Sequence, residues 1–204
     1  IGTLYGGDPE RVQESSIKHM RSGRKKYTLS AGIPELREKI KHFLAAKQVM
    51  AEDVLITSGV SGGLLLAIMS LIDPGDEVIV PDPAFVMYNE VAKLFWAKVV
   101  LLDTYPDFLM DPEKLKSLIT PKTKLLFLNS PGNPTGRILV KERLKQIAEV
   151  LKNTGIWVIA DDIYDYFDYE SLHSVFAPLY EQTLTLGGFS KSSGMPGWRA
   201  GYAA

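Results

Sequence analysis

The sequence has no cysteine, only three histidines and no apolar run long enough to cross a bilayer. The lack of cysteine excludes disulfides and thiolate metal sites and favours a reducing compartment, so we expect a cytoplasmic protein without a membrane partner. His19, His42 and His173 lie far apart in the chain, and we expect no metal site from them. A formal net charge of −1 also argues against a nucleic-acid partner.

Short apolar runs, separated by turns and amphipathic segments, begin after Asp53. The candidate strands are Val54–Thr57, Glu77–Val80, Lys98–Leu102, Lys124–Leu128, Trp157–Ala160 and Leu184–Phe189. Helical spacing is found after Pro34 and in Leu64–Ile72, Val86–Phe95, Pro112–Ile119 and Lys141–Lys152. Apolar strands that alternate with helices predict an α/β fold with a mostly parallel, mixed sheet flanked by helices.

Ligands bind at the carboxyl ends of strands in such sheets, so the residues that follow each run matter most. The first run ends in a small-residue turn, Ser58 to Gly63, whose backbone N–H groups could approach an anion at the start of a helix. The turn alone is a weak signal, because it lacks the glycine spacing of dinucleotide and ATP sites. The fourth run ends in Asn129 to Gly136, where two X-Pro steps and two glycines predict an irregular backbone.

The last two runs are followed by charged residues. Asp161 and Asp162 end the fifth run and could bind Mg²⁺, but neighbouring strand residues point to opposite faces and need not share a ligand. Lys191 follows the sixth run among glycine and serine, and Arg199 stands nearby in a similar setting. Two ordinary surface cations are the plain alternative for this segment.

Taken together, four segments resemble the class I and II aminotransferases, which are pyridoxal-phosphate enzymes of fold type I. Tyr27 to Arg37 is similar to the family's Tyr-x-x-x-x-Gly-x-Pro-x-Leu-Arg, and Asn129 to Gly136 to its Asn-x-Pro-x-Asn-Pro-Thr-Gly. Asp161 to Tyr164 is similar to Asp-Glu-x-Tyr, and Gly188 to Gly201 to the lysine signature. The resemblance runs in family order from Leu4 to Tyr202.

The resemblance implies pyridoxal 5'-phosphate as the cofactor and three catalytic residues. Lys191 matches the lysine that forms an imine (Schiff base) with the cofactor aldehyde, and Asp161 the carboxylate that pairs with the pyridine nitrogen. Tyr164 matches the hydroxyl that contacts the phenolic oxygen. Asp162 stands where the family usually has Glu, and Gly188 where many members have a phosphate-binding Ser.

Further site residues come from the same resemblance. Val60, Ser61 and Arg199 match residues that bind the cofactor phosphate, and Phe85 matches an aromatic that stacks on the pyridine ring, although it could be a core aromatic. Asn133 matches the asparagine that contacts the phenolic oxygen and the substrate carboxylate. Gly7 matches a glycine against the substrate, and Tyr27 a tyrosine that reaches the other subunit's phosphate, which implies a homodimer.

The resemblance also implies a domain division and an activity. Residues 1–26 would form an N-terminal arm with part of a small domain, and residues 27–204 the cofactor-binding large domain of a fragment that lacks its C-terminal part. We expect amino-group transfer between an amino acid of the aspartate, aromatic or alanine type and a 2-oxo acid such as 2-oxoglutarate. Two alternatives are a β-lyase or carbon–sulfur lyase of the same fold and a non-catalytic ligand-binding domain.

Overall fold

A computed structural model describes residues 9–23 and 26–204, so the prediction for Gly7 lies outside the described residues. The strands are β1 (Leu55–Ser58), β2 (Glu77–Asp82), β3 (Lys98–Asp103), β4 (Thr123–Asn129), β5 (Trp157–Asp161), β6 (Thr183–Gly188) and β7 (Ala200–Ala203). The helices are α1 (Glu10–Arg21), α2 (Pro34–Ala45), α3 (Gly59–Leu71), α4 (Val86–Leu94), α5 (Pro112–Leu118) and α6 (Lys141–Leu151). Short 3₁₀ turns join some of them.

The seven strands form one sheet in the order β1-β7-β6-β5-β4-β2-β3. Strand β7 runs antiparallel to both of its neighbours, and the other pairs in the sheet are parallel. The predicted α/β class with a mostly parallel, mixed sheet is therefore confirmed. The sequence did not predict β7, because its four residues include Gly201 and two alanines and form no distinct apolar run.

Alternating strand residues divide the core between the two faces of the sheet. Val78 of β2 and Phe127 of β4 pack with α3 and α4, whereas their neighbours Ile79 and Leu128 pack with α5 and α6. This period of two is expected for strands covered on both faces. It also separates Asp161, on the α3 and α4 side with Tyr88, from the following Asp162.

Helix α2 begins at Pro34, as predicted, and anchors the N-terminal part of the sheet. Its Ile40 and Leu44 pack with Val54 and Tyr202 in a separate apolar cluster. Helix α1, in contrast, has no buried side chain. Across the described ranges, the helices are too short or too polar to cross a membrane.

Helix α3 begins at Gly59, five residues before the predicted start at Leu64. The glycines at its start gave no helical signal in the sequence, since glycine has low helix propensity. Gly59 has a φ of +68°, and Gly201 of β7 lies directly against it. A Cβ atom on Gly201 would stand 2.6 Å from the Gly59 carbonyl carbon and 2.9 Å from the Val60 nitrogen, so only glycine fits between β7 and α3.

Gly201→Ala should destabilise the protein by about 1–3 kcal/mol, the usual cost of overpacking, because backbone atoms rather than a flexible side chain would have to move. Urea denaturation measures the loss. Gly197→Ala is the matched control, since a Cβ there meets nothing within 4 Å. Equal stability of the two variants would contradict the close approach.

Candidate active site

Asp161 ends β5 and is only 4% exposed. Its carboxylate accepts hydrogen bonds from the Tyr88 hydroxyl at 2.7 Å and from the Ile163 backbone N–H at 3.2 Å. Within residues 9–23 and 26–204, no cation forms an ion pair with it. Burial raises the pKa of Asp161 to about 6, although the two hydrogen bonds oppose that rise.

Tyr88, on α4, is a site residue that the sequence did not single out. Its ring stacks on Phe127 with centroids 4.6 Å apart, and Phe85 meets its edge at 5.7 Å. Burial and the nearby Asp161 charge raise the pKa of the Tyr88 hydroxyl, so it remains a donor. A tyrosine on the buried face of a helix is typical of a core aromatic, and only the fold reveals the contact with Asp161.

The loop after β4 is joined to the end of β5 by Asn129. The Asn129 side-chain amide donates to the Asp161 backbone carbonyl at 2.8 Å, and its oxygen accepts from the Asn133 N–H at 2.7 Å. The Asn133 amide in turn lies 3.4 Å from the Tyr164 hydroxyl. These contacts bring Asp161, Asn133 and Tyr164 together, and Asn129, quoted in the sequence motif without a role, connects them.

Lys191 completes the cluster, in the turn after β6. Its Nζ lies 5.8 Å from the centre of the Tyr164 ring. Lys191, Tyr164 and Asn133 all line one cavity of about 690 Å³. Burial and the Asp161 charge raise the pKa of Tyr164, whereas its contact with Asn133 lowers it. The cavity therefore combines an amine, a hydroxyl that stays protonated and an amide donor.

A second polar feature lies at the start of α3, where Val60 and Ser61 occupy the first helical turn. The Ser58 side chain makes no capping hydrogen bond there, and the first N–H groups of a helix have no intrahelical partner. The Arg199 guanidinium lies beside this end, 3.4 Å from the Ser58 carbonyl oxygen. Arg199 itself has a left-handed backbone with φ of +50°, a conformation that costs a non-glycine residue roughly 1–2 kcal/mol. Arginine and helix N-terminus together favour an anion.

The predicted site residue Tyr27 is not joined to this cluster within the single chain, and neither is Asp162, for which the resemblance implies no catalytic role. Tyr27 is fully exposed and makes no described contact with Asp161 or Lys191. Asp162 is buried on the other face of the sheet, where burial and the Asp161 charge raise its pKa. In the described part of the chain, no group of three histidines or carboxylates could hold a metal ion.

Comparison with known proteins gives the family. Residues 1–204 match the family described as aminotransferase class I and II. A probable aspartate aminotransferase of Methanocaldococcus jannaschii is 37% identical over 207 residues, which cover 100% of this chain and 55% of that protein. An aspartate/prephenate aminotransferase of Thermus thermophilus is 38% identical over 203 residues, or 96% of this chain and 52% of that protein.

Solved structures agree with this similarity. The structure of aspartate aminotransferase from Thermus thermophilus with maleate matches this chain with a TM-score of 0.96 at 37% sequence identity. The match covers 100% of this chain and 55% of the Thermus thermophilus chain. Alanine aminotransferase from Pyrococcus furiosus matches with a TM-score of 0.94 at 33% sequence identity, over 100% of this chain and 54% of the Pyrococcus furiosus chain. The chain belongs to the class I and II aminotransferase family, as the sequence motifs predicted, and it spans about half the length of the relatives it matches.

Enzymes of this family depend on pyridoxal phosphate, and the described residues fit that group. The cofactor carries a basic ring nitrogen at one side and a phosphate at another. The described donors to buried Asp161, Tyr88 and the Ile163 N–H, are both neutral, so a protonated ring nitrogen would supply a positive partner. The N-terminus of α3 and Arg199 are suited to bind the phosphate. Lys191 supplies an amine to the cavity that the neutral side chains of Tyr164 and Asn133 also line.

Tyr88→Phe should destabilise the cofactor-free protein more at pH 8 than at pH 4.5. The folded pKa of Asp161, about 6, exceeds its ordinary 3.8, so the unfolding free energy falls as pH rises through this window. Losing the Tyr88 donor raises that pKa further and removes a hydrogen bond to a charged group, worth about 1.5–3 kcal/mol. The extra loss of unfolding free energy in Tyr88→Phe is therefore expected only at a pH where Asp161 is ionised.

Urea denaturation at both pH values tests this expectation. Tyr180→Phe is the control, because the Tyr180 hydroxyl donates at 2.7 Å to the neutral Ile156 carbonyl and its loss should cost the same at either pH. If Tyr88→Phe also cost the same at both pH values, Asp161 would not titrate in this range.

Proposed function

We propose that this protein is a pyridoxal-phosphate-dependent aminotransferase that moves an amino group between an amino acid and a 2-oxo acid such as 2-oxoglutarate. The observation that carries the proposal is the convergence of Lys191, Tyr164 and Asn133 on one cavity beside the buried Asp161, which has no ion-pair partner among the described residues. Such a cluster suits a reaction in which a proton leaves a carbon next to a nitrogen.

Two residues would carry the proton chemistry. When bound, pyridoxal phosphate supplies an electron sink for the bond broken at the substrate Cα. Asp161 would keep the ring nitrogen protonated, and its low exposure makes that ion pair strong. Lys191 would hold the cofactor covalently, and its Nζ, when not bonded to the cofactor, would take the proton from the substrate Cα.

The remaining residues would bind and orient. Asn133 and Tyr164 would donate to the cofactor's phenolic oxygen, and Asn133 also to the substrate carboxylate. Half-buried Phe85, at the start of α4 beside Tyr88, would cover one face of the ring. Val60, Ser61 and Arg199 would hold the phosphate, the guanidinium as a permanently charged donor.

The substrate class follows from the relatives and remains a proposal. Relatives are named for aspartate and for prephenate, and solved structures for aromatic and alanine aminotransferases. These names support an amino acid of the aspartate, aromatic or alanine type. The lyase and ligand-binding alternatives gain no support from these relatives, which are all named aminotransferases.

Two further expectations are kept as proposals. We propose that residues 27–204 form the cofactor-binding domain and that residues 1–26 belong to an arm and a small domain. The absence of buried side chains in α1, against the buried Ile40 and Leu44 of α2, supports that boundary. The cytoplasmic location stays a prediction from composition.

We also propose that two copies of the chain form a homodimer through the surface around α3 and Tyr27. Helix α3 has no charged residue, yet Leu65, Leu66 and Met69 are 38–56% exposed. A helix that is apolar all round is normally covered. Tyr27 is fully exposed, as expected for a side chain that reaches the partner's cofactor phosphate.

Borohydride reduction after addition of pyridoxal phosphate should attach the cofactor permanently to Lys191, and peptide mass mapping would identify the modified residue. Lys191→Ala should lose this adduct and at least about a hundredfold of amine-transfer rate, the scale of a missing general base. Lys145→Ala, a surface change on α6, should keep both.

Two outcomes would contradict the proposed chemistry. An adduct scattered over surface lysines in the wild-type protein would remove Lys191 from its role. Pyruvate and ammonia release without dependence on a 2-oxo acid would favour the lyase alternative instead.

Met69→Lys should weaken the dimer on the order of tenfold or more, because a two-fold interface receives the buried charge twice. Analytical ultracentrifugation over a concentration series gives the dissociation constant. Leu101→Lys is the control, since Leu101 is 51% exposed on β3, at the opposite edge of the sheet from β1. A monomeric wild-type protein would refute the dimer.

A further inference from the structure

Lys47, just after α2, makes a set of contacts that the proposed chemistry does not use. It forms an ion pair with Asp165, whose side chain is only 9% exposed. Its Nζ also lies 4.3 Å from the centre of the Phe43 ring and 5.0 Å from that of Tyr166. The two rings are nearly parallel, with centroids 6.4 Å apart. One ammonium group is therefore held by a carboxylate and two aromatic faces.

Both ends of this contact stand on well-fixed backbone. On the α2 side, the Lys47 N–H donates to the Leu44 carbonyl at 2.9 Å, and Leu44 is buried against the sheet. A cation at this end of α2 also meets the negative end of the helix dipole. The backbone at the end of α2 is therefore fixed well enough for Lys47 to position Asp165 and Tyr166.

The other side is the turn that follows β5. Asp165 and Tyr166 belong to the 3₁₀ turn Asp165–Phe167, which begins directly after Tyr164. The Asp165 N–H donates to the Asp162 carbonyl at 3.1 Å, and the Phe167 N–H to the Tyr164 carbonyl at 2.8 Å. A shift of Asp165 would thus move Tyr164, whose hydroxyl is held, among the described residues, by a single 3.4 Å contact with Asn133.

We propose that Lys47 is a positioning residue: through Asp165 and Tyr166 it fixes the turn after β5 and so holds the Tyr164 hydroxyl against Asn133 in the cofactor site. This inference rests on the proposed function for its consequence, but its geometry does not depend on a bound group. We name the contacts of Lys47 with Phe43, Asp165 and Tyr166 the Lys47 clamp.

The charges around the clamp explain why a cation is needed at this point. Asp162 is buried next to the turn, and the negative charges of Asp161 and Asp165 add to burial in raising its pKa, whereas Lys47 opposes the rise. Burial lowers the pKa of nearby His173, so that ring is a poor substitute for the cation. Loss of Lys47 would leave Asp165 as an unpaired, largely buried carboxylate.

The first test uses the cofactor-free protein and amide hydrogen exchange. Lys47→Met keeps an apolar stem between the two rings but removes the charge, and it should speed exchange of the Asp165 and Phe167 amides on the order of tenfold. Lys47→Arg should retain slow exchange. Lys41→Met is the matched control on α2, where the described ion pair of Lys41 is a long one, to Glu38 at 3.8 Å. Unchanged exchange in Lys47→Met would overturn the clamp.

The second test measures the effect on the cofactor site without measuring turnover. Lys47→Met should weaken pyridoxal phosphate binding on the order of tenfold and move the pH midpoint of the bound cofactor's absorption band in the same direction as Tyr164→Phe. Adding Lys47→Met to Tyr164→Phe should move the midpoint no further. A role in stability alone would lower the melting temperature and leave the midpoint of the band in place, which would overturn the proposal.

Two controls keep these outcomes apart. The double variant Lys47→Met with Asp165→Asn carries no unpaired carboxylate, so it tests positioning even where Lys47→Met folds poorly; it should still shift the band midpoint. The wild-type adduct on Lys191 tests the proposed function separately. Its absence would refute that function, and the hydrogen-exchange result would still decide on the clamp.

Discussion

The site depends on one constraint: a carboxylate is held out of water, and no cation in the described part of the chain forms an ion pair with it. Asp161 is 4% exposed, and the Tyr88 hydroxyl and the Ile163 N–H are its only described donors. Ionising such a group is unfavourable until a positive partner arrives. The cofactor-free protein therefore stores an electrostatic cost that a protonated ring nitrogen would relieve, and the same burial makes that ion pair strong.

The polarity of the sheet decides which residues surround that carboxylate. Strands β4, β5 and β6 run in parallel, so the segments that follow them meet at one edge and bring Asn133, Tyr164 and Lys191 together. Alternation along β5 then separates Asp161 from Asp162. Asp161 faces the proposed cofactor site, and Asp162 contributes to the charges beside α2, so two neighbouring carboxylates lie on two faces of the sheet.

The sequence predicted the strands and helices that have long apolar runs. It also predicted the site segments in which prolines, glycines or a lysine occur in an unusual pattern. Asn129 to Gly136 and the lysine segment stood out because prolines, glycines and one lysine occur there in a pattern that a plain loop does not need. Tyr88, Asn129 and Lys47 could not be assigned roles, because each acts through a contact with a residue distant in sequence. Strand β7 was not predicted for a related reason: Gly201 lies against the backbone of α3, and a close approach to a distant segment leaves no apolar run in the sequence.

That packing has a consequence for how the chain folds. At one edge of the described sheet, β1 pairs with β7. The paired residues lie between 142 (Ser58 and Ala200) and 148 (Leu55 and Ala203) positions apart, and such a separation slows folding because the loop must close before the contact forms. During synthesis, β1 and the start of α3 cannot make their contacts with β7 until Gly201 has left the ribosome. The proposed anion-binding end of the site joins the start of α3 to Arg199 and Gly201, so it can form only after both of these distant segments have been synthesised.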